Sequence, residues 1–208
     1  MKHFFIIRHG ETELNKLRLL HGRGINASVN KVGRSQAHAI AKALSIYPIQ
    51  KIVTSSLIRT QESAAPLAEI KSINIESWKE LDEMSFGDLE GKSFNNVLDQ
   101  LKFLQNEWSF GNTKIPVPGG ESPEDVYERA GKKIREIAEN SSETHIAVFI
   151  HGRLIRILLS EILGLGLKNM QQIQHENGAI NHLIWENGVF KTVQLNIVNH
   201  LHHLKKTV

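Results

Sequence analysis

His3-Phe4-Phe5-Ile6-Ile7-Arg8-His9-Gly10-Glu11-Thr12-Glu13-Leu14-Asn15 is the stretch from which the fold is read. An apolar run of strand length ends abruptly in Arg-His-Gly. Such a run, apolar without alternation, suits a strand covered on both faces, as in a parallel sheet. Open α/β sheets bind ligands at the C-terminal ends of their strands, so Arg8 and His9 fall where a site is expected. Arginine presents a rigid fork of donors that fits phosphate. Histidine is a nucleophile near neutral pH once its ring is fixed in one tautomer. Gly10 lets the backbone turn and lets a ligand come close.

The pattern recurs at Val148-Phe149-Ile150-His151-Gly152. Parallel strands present their C-terminal ends on one edge, and neighbours lie about 4.8 Å apart. The imidazoles of His9 and His151 are therefore placed to meet. One histidine at a strand end is most often a satisfied, half-buried residue. Two at matching ends, one preceded by arginine, point to a site.

Working outward, Phe4–Ile7, Lys51–Thr54 and Thr144–Ile150 read as strands. Val32–Leu44, Leu57–Ile70, Ser93–Trp108 and Leu154–Leu163 read as helices. Pro66 is expected to kink or end the second of these. Ser122-Pro123-Glu124-Asp125 reads as a capped start of a helix running to about Asn140. Ile180–Trp185 and Phe190–Leu195 flank Asn187-Gly188, a hairpin signal. This alternation predicts an α/β fold: a three-layer α/β/α sandwich whose sheet is mostly parallel with an antiparallel edge. The whole chain, 1–208, reads as a single domain, with a polar helical segment at about 78–120 inserted over the site.

Two further stretches bear on chemistry. Thr54-Ser55-Ser56-Leu57-Ile58-Arg59-Thr60 leaves a strand and enters a helix, which puts Arg59 in a first turn that favours anions. Glu80-Leu81-Asp82-Glu83-Met84-Ser85-Phe86-Gly87-Asp88-Leu89-Glu90 offers five carboxylates, and spacing alone does not choose a proton donor among them.

Bulk properties narrow the classes. The chain has 208 residues, 40% hydrophobic and 23% charged, which suits a soluble globular protein. No stretch approaches the roughly 20 apolar residues of a spanning helix. The apolar N-terminal run is too short for a signal peptide. There is no cysteine, which removes disulfides and thiol catalysis and suits the cytoplasm. A formal charge of +3 without a basic, aromatic-interleaved run gives no case for nucleic acid. His200, His202 and His203 and the pair Lys205-Lys206 read as a solvated end.

With these motifs in hand, the chain resembles the histidine phosphatase superfamily, in its phosphoglycerate mutase-like branch. Arg8-His9-Gly10-Glu11-Thr12-x-x-Asn15 matches that family's opening signature. Gly33-Arg34-Ser35-Gln36-Ala37, Ser55–Arg59, Leu81–Gly91, Pro118–Ser122 with Arg129, and His151-Gly152 with Ile155-Arg156 follow in family order. The resemblance implies that His9 is the nucleophile and becomes a phosphohistidine. It implies that Arg8, Arg59 and His151 hold the phosphoryl oxygens, and that Asn15, His21, Gly22 and Gly152 belong to the phosphate pocket. Glu83 matches the residue that protonates the leaving oxygen. No metal and no cofactor are implied. The implied partner is a small phosphorylated substrate, with a homodimer left open and neither nucleic acid nor membrane expected. Two departures stand out. His21 replaces a common Gln, followed by Arg23, and Arg153 stands where a small residue is usual; both put charge at the mouth or on the surface.

Phosphomonoesterase is the favoured activity. The chain is short for the mutase branch, and Phe86–Gly91 looks like the phosphatase type. A mutase must also keep its phosphorylated intermediate from water, which asks for more covering structure. An isomerase of the phosphoglycerate mutase type and a non-catalytic phosphate-binding module are the alternatives. Phe86, Phe94, Phe103, Trp108 and Phe110 are the candidates for a wall that selects the substrate.

Overall fold

The computed structural model describes residues 1–204. The expected solvated pair Lys205-Lys206 lies outside the described residues. Six strands form one sheet: β1 (Lys2–Arg8), β2 (Lys51–Ser55), β3 (Ile75–Trp78), β4 (His145–Ile150), β5 (Ile180–Glu186) and β6 (Val189–Ile197). Their order is β3-β2-β4-β1-β5-β6, with β1 to β4 parallel and the β5–β6 hairpin antiparallel at one edge. The helices are α1 (Glu13–Lys16), α2 (Lys31–Leu44), α3 (Ile58–Lys71), α4 (Leu98–Phe110), α5 (Pro123–Asn140) and α6 (Gly152–Ile162). This is the expected α/β architecture.

Alternation along β1 explains the layers. Phe5 and Ile7 join Ile40, Leu44, Ala64 and Leu67 of α2 and α3 on one face. Phe4 and Ile6 join Val126 and Ile134 of α5, Leu154 and Leu158 of α6, and the segment after β3 on the other. Successive side chains of a strand point to opposite faces, so an unbroken apolar run is what a doubly covered strand requires. Leu81, Met84, Leu89, Leu101, Leu104 and Trp108 of the segment at 78–120 enter that second core.

Local chemistry accounts for most boundaries. Ser122 and Asp125 form a reciprocal capping box at the start of α5, with Pro123 in its first turn. Asn187 and Gly188 both adopt positive φ, 53° and 77°, as a type I′ hairpin needs. Helix α3, expected over Leu57–Ile70, runs through Pro66 to Lys71; the early end that Pro66 allowed does not occur, because Ala64 and Leu67 on either side of it are anchored in the core. Two expectations are corrected. The helix expected over Ser93–Trp108 begins as a 3-10 turn, Phe94–Val97, and is α-helical only from Leu98. His200 is no free tail residue: it is half-buried, and its Nε2 lies 3.0 Å from the Gly178 carbonyl. No helix among the described residues is long and apolar enough to cross a membrane.

Candidate active site

Register brings the two His-Gly tips together. Arg8 pairs with Ile150 across β1 and β4, and the His9 amide donates to the Ile150 carbonyl at 3.0 Å. The His9 and His151 rings lie 5.3 Å apart between centroids. Both residues are buried. Behind His9, the Gly10 amide donates to Ser63 Oγ at 2.9 Å, and Ser63 Oγ donates to the Arg59 carbonyl at 2.6 Å. Gly10 packs directly on Gly33 of α2: a Cβ on Gly10 would stand 2.5 Å from the Gly33 carbonyl oxygen. A Cβ on Gly33 would in turn collide with the Glu11 carbonyl oxygen, so each of the two segments needs its glycine.

The two rings are held differently. His9 Nδ1 sits 2.7 Å from the Gly10 carbonyl oxygen. A carbonyl only accepts, so Nδ1 carries the proton and Nε2 keeps its lone pair. Burial lowers the His9 pKa well below 6.5; Arg59 and Arg8 lower it further, and the Gly10 bond opposes them. His9 is thus neutral, with a fixed tautomer. His151 Nδ1 accepts from Arg59 Nε at 3.2 Å, which requires its proton to be on Nε2, 2.7 Å from Ser55 Oγ. Its pKa is also lowered well below 6.5, by burial first and then by Arg59.

Arg59 is fully buried and its other nitrogens donate to the Ile25 and Gly22 carbonyls at 2.8 and 3.0 Å. Gly22 acts through that carbonyl: a Cβ there would collide with the Met84 carbonyl and the Glu90 carboxylate. Arg8 reaches the His175 carbonyl and ring with Nη1, each at 3.3 Å, and its buried Nε has no partner. Burial lowers the Arg8 pKa to about 10 despite Glu83 nearby.

The carboxylates sort themselves. Glu83 accepts from the Met84, Leu154 and Arg153 amides at 2.9, 2.9 and 3.0 Å. It therefore caps α6, whose N-cap residue His151 makes no side-chain cap bond. Asp82 accepts from Ser56 at the entry to α3, and Glu90 accepts from the Phe86 amide. Asp88 is exposed. Of the five candidate carboxylates only Glu83 faces the cavity at the strand tips. Its loop is pinned by Arg129, which forks onto Glu121 at 2.8 and 2.9 Å and donates to the Glu80, Asp82 and Glu83 carbonyls.

That cavity has a volume of about 570 Å³ and is lined by Arg8, His9, Asn15, His21, Glu83 and Gly152 among others. Asn15 Oδ1 accepts from Thr12 and from Asn177 Nδ2 at 3.1 and 3.2 Å. His21 is held at 3.3 Å from the Leu19 carbonyl, and burial lowers its pKa to about 4. Gly22 and Arg59 stand behind the wall. The two departures part company. Arg153 lines the cavity, whereas Arg23 pairs with Glu121 at 3.1 Å and does not. Phe86 and Phe94 line it, Trp108 lies in the core, and Phe103 and Phe110 are exposed.

Four polar lining residues escaped the sequence reading: Arg18, Gln105, Gln171 and His175. His175 precedes β5, and an antiparallel strand begins at the edge where its parallel neighbours end; attention to strand C-termini alone passes it by. Its Nε2 accepts from Arg156 at 3.2 Å, and burial between arginines lowers its pKa to about 2. Arg18 enters from a left-handed backbone with φ of 53°. Among the described residues no group of three or more His, Asp or Glu is placed to hold a metal.

The sequence and the fold have counterparts among known proteins. The chain is 26% identical over 204 residues to "Putative phosphoserine phosphatase 2" of Hydrogenobacter thermophilus, covering 98% of this chain and all of that one. It is 25% identical over 186 residues to "Probable phosphoglycerate mutase GpmB" of Yersinia enterocolitica, covering 89% and 86%. A phosphoserine phosphatase mutant from Entamoeba histolytica, solved with phosphoserine, superposes with a TM-score of 0.86 at 21% identity over 97% of this chain and all of that one. The family model described as histidine phosphatase superfamily, branch 1, matches residues 4–198, and the chain belongs to that family.

Proposed function

We propose that the protein is a phosphomonoesterase that hydrolyses a small phosphorylated metabolite through a phosphohistidine on His9. The observation that carries this reading is the His9 ring: buried, neutral, with Nδ1–H held by the Gly10 carbonyl and the Nε2 lone pair left for attack. In the first step Nε2 attacks phosphorus, the ester P–O bond breaks, and Glu83 gives its proton to the leaving oxygen. In the second step Glu83, now a carboxylate, takes a proton from water. The resulting oxygen attacks phosphorus, the N–P bond breaks, and phosphate leaves. The balance is ester plus water to alcohol plus phosphate. Splitting one hard displacement into two is the gain from covalent catalysis.

Phosphoryl transfer depends mostly on positioning and on cations around oxygens that carry charge in the transition state. Arg8, with an unpartnered Nε, and Arg59, His151 and Asn15 supply those contacts; His21 and Gly152 shape the pocket, and Gly22 anchors Arg59. The segment at 78–120 belongs to the same single domain and forms the wall that meets the substrate. The same reading places the enzyme in the cytoplasm, where a chain without cysteine needs no disulfide.

The isomerase reading is favoured only by the name of the Yersinia relative. A screen of phosphate release over a metabolite panel, with trapping of labelled protein, separates the two. Free phosphate and an acid-labile, alkali-stable label lost in His9→Ala support the phosphatase. Conversion of 3-phosphoglycerate to 2-phosphoglycerate without phosphate release supports the isomerase. Turnover by His9→Ala refutes the nucleophile assignment.

A further inference from the structure

We propose that the substrate carries a second anionic group besides the transferred phosphoryl, seated by Arg153 and Gln171 on the wall formed by α6 and the turn Leu167–Gln172. The inference rests on the phosphatase reading only in giving the first phosphoryl to His9. It begins from unsatisfied donors. Buried polar atoms almost always have partners. Among the described residues five buried side-chain atoms have none, and three of these, Arg8 Nε, Arg153 Nη1 and Gln171 Nε2, belong to residues lining one cavity. All three are donors. A bound acceptor of high charge density is what such a set fits.

The Gln171 amide is oriented by its neighbour. Arg156 Nη1 donates to Gln171 Oε1 at 2.8 Å, so the amide nitrogen is the end left over. Arg153 is held by Trp108, whose ring centre lies 5.8 Å from the guanidinium carbon. Charge points the same way. Arg8, Arg18, Arg153 and Arg156 line the cavity, with Glu83 as the one lining carboxylate. A phosphate monoester brings at most two negative charges, and Arg8 in the cavity, with Arg59 buried behind its wall, already offers two positive ones. Three further arginines exceed what one phosphoryl group needs. A guanidinium fork beside an amide N–H suits the paired oxygens of a carboxylate or of a second phosphate. His175 holds the wall in place: its ring sits between Arg8 Nη1 at 3.3 Å and Arg156 Nε at 3.2 Å. A neutral imidazole has one lone pair and cannot accept from both. The ring accepts from Arg156, so Arg8 Nη1 keeps only the His175 carbonyl as acceptor and Arg8 Nε keeps none, which leaves Arg8 free to meet an anion in the cavity.

Non-hydrolysable phosphonates test this by titration calorimetry on the whole chain. Ethylphosphonate carries one anionic group, phosphonoacetate adds a carboxylate, and methylenediphosphonate adds a second phosphonate. The wild-type chain is expected to prefer one of the two-anion ligands over ethylphosphonate by about tenfold or more, and the stronger of the two identifies the second anion. Arg153→Gln and Gln171→Leu should each reduce that ratio to under about threefold. A wild-type ratio near one, or variants that weaken all three ligands in proportion, overturns the proposal. Proportional loss would mean that Arg153 and Gln171 serve the phosphoryl itself. Because the ligands are not turned over, the ratio is read independently of catalysis. Phosphate release from p-nitrophenyl phosphate, measured alongside, reports on the phosphatase reading alone.

Discussion

The tips of β1 and β4 carry the same His-Gly pair and face each other 5.3 Å apart, yet their rings are wired in opposite ways. His9 has one nitrogen tied to a backbone carbonyl and the other open. His151 has both nitrogens tied, one accepting from Arg59 and one donating to Ser55. The lesson is that a repeated motif marks a shared location, while the hydrogen-bond partner of each ring decides its task. An open lone pair suits a nucleophile. A ring locked between a guanidinium and a hydroxyl suits a polar wall.

Replacing each ring in turn is the sharpest way to break this contrast. His9→Ala should lower kcat/KM by about 10⁴-fold or more, because it removes the group that forms the intermediate. His151→Ala should cost about 10² to 10³, the scale of losing one stabilising contact in the transition state. Steady-state phosphate release on one substrate checks both. Equal losses, or a larger loss at His151, would reverse the two roles.

The next effect in size concerns Glu83, which joins the tips by capping α6. Glu83→Gln keeps the shape and should lower kcat by about 10²- to 10⁴-fold on alkyl phosphates, whose leaving oxygen needs a proton. The loss should shrink at least tenfold on p-nitrophenyl phosphate, whose leaving group needs little help. A loss independent of leaving group would give Glu83 a capping role only.

How much of this is legible in the sequence varies with the kind of residue. β1 and β4 announce themselves, because strands covered on both faces need unbroken apolar runs. So do α5 and the β5–β6 turn, whose Ser-Pro and Asn-Gly pairs act locally. β3 does not: Ile75-Glu76-Ser77-Trp78 is a four-residue edge strand, half-exposed, with no apolar run to betray it. The nucleophile is legible as a motif, but its tautomer depends on the Gly10 carbonyl geometry, which only the fold supplies. His175 depends on where an antiparallel strand begins, and Gln171 on how the turn Leu167–Gln172 folds back over α6, properties of topology that no local pattern carries. Arg23 and Arg153 look alike as added charges, and the Glu121 and Asp82 carboxylates beside Arg23 tell them apart.

A third test treats the two rings and five further histidines as one titrating population. His9, His21, His145, His151, His175, His182 and His200 all have pKa values lowered, chiefly by burial. The unfolded chain therefore binds more protons than the folded one below about pH 6.5, and stability rises with pH through that range. It is fully present above pH 6.5 and is lost as pH falls. Between pH 7 and 5 the Tm should drop by more than about 5 °C, and His175→Gln should make the drop shallower. A flat Tm over that interval would mean that these rings are accessible to protons in the folded state.

The mildest test returns to the wiring itself. Ser55→Ala removes the acceptor of the His151 Nε2 proton while leaving the Arg59 contact in place. A buried N–H without a partner should cost about 1 to 3 kcal/mol, read from chemical unfolding. The same change frees the ring to turn, and kcat should fall by about tenfold, since a misplaced donor weakens but does not abolish transition-state stabilisation. The tautomer of His9 does not pass through Ser55, so the yield of trapped phosphohistidine should persist. If that yield falls in step with kcat, then the two tips are one coupled unit and the contrast between an open and a locked ring is not what divides their labour.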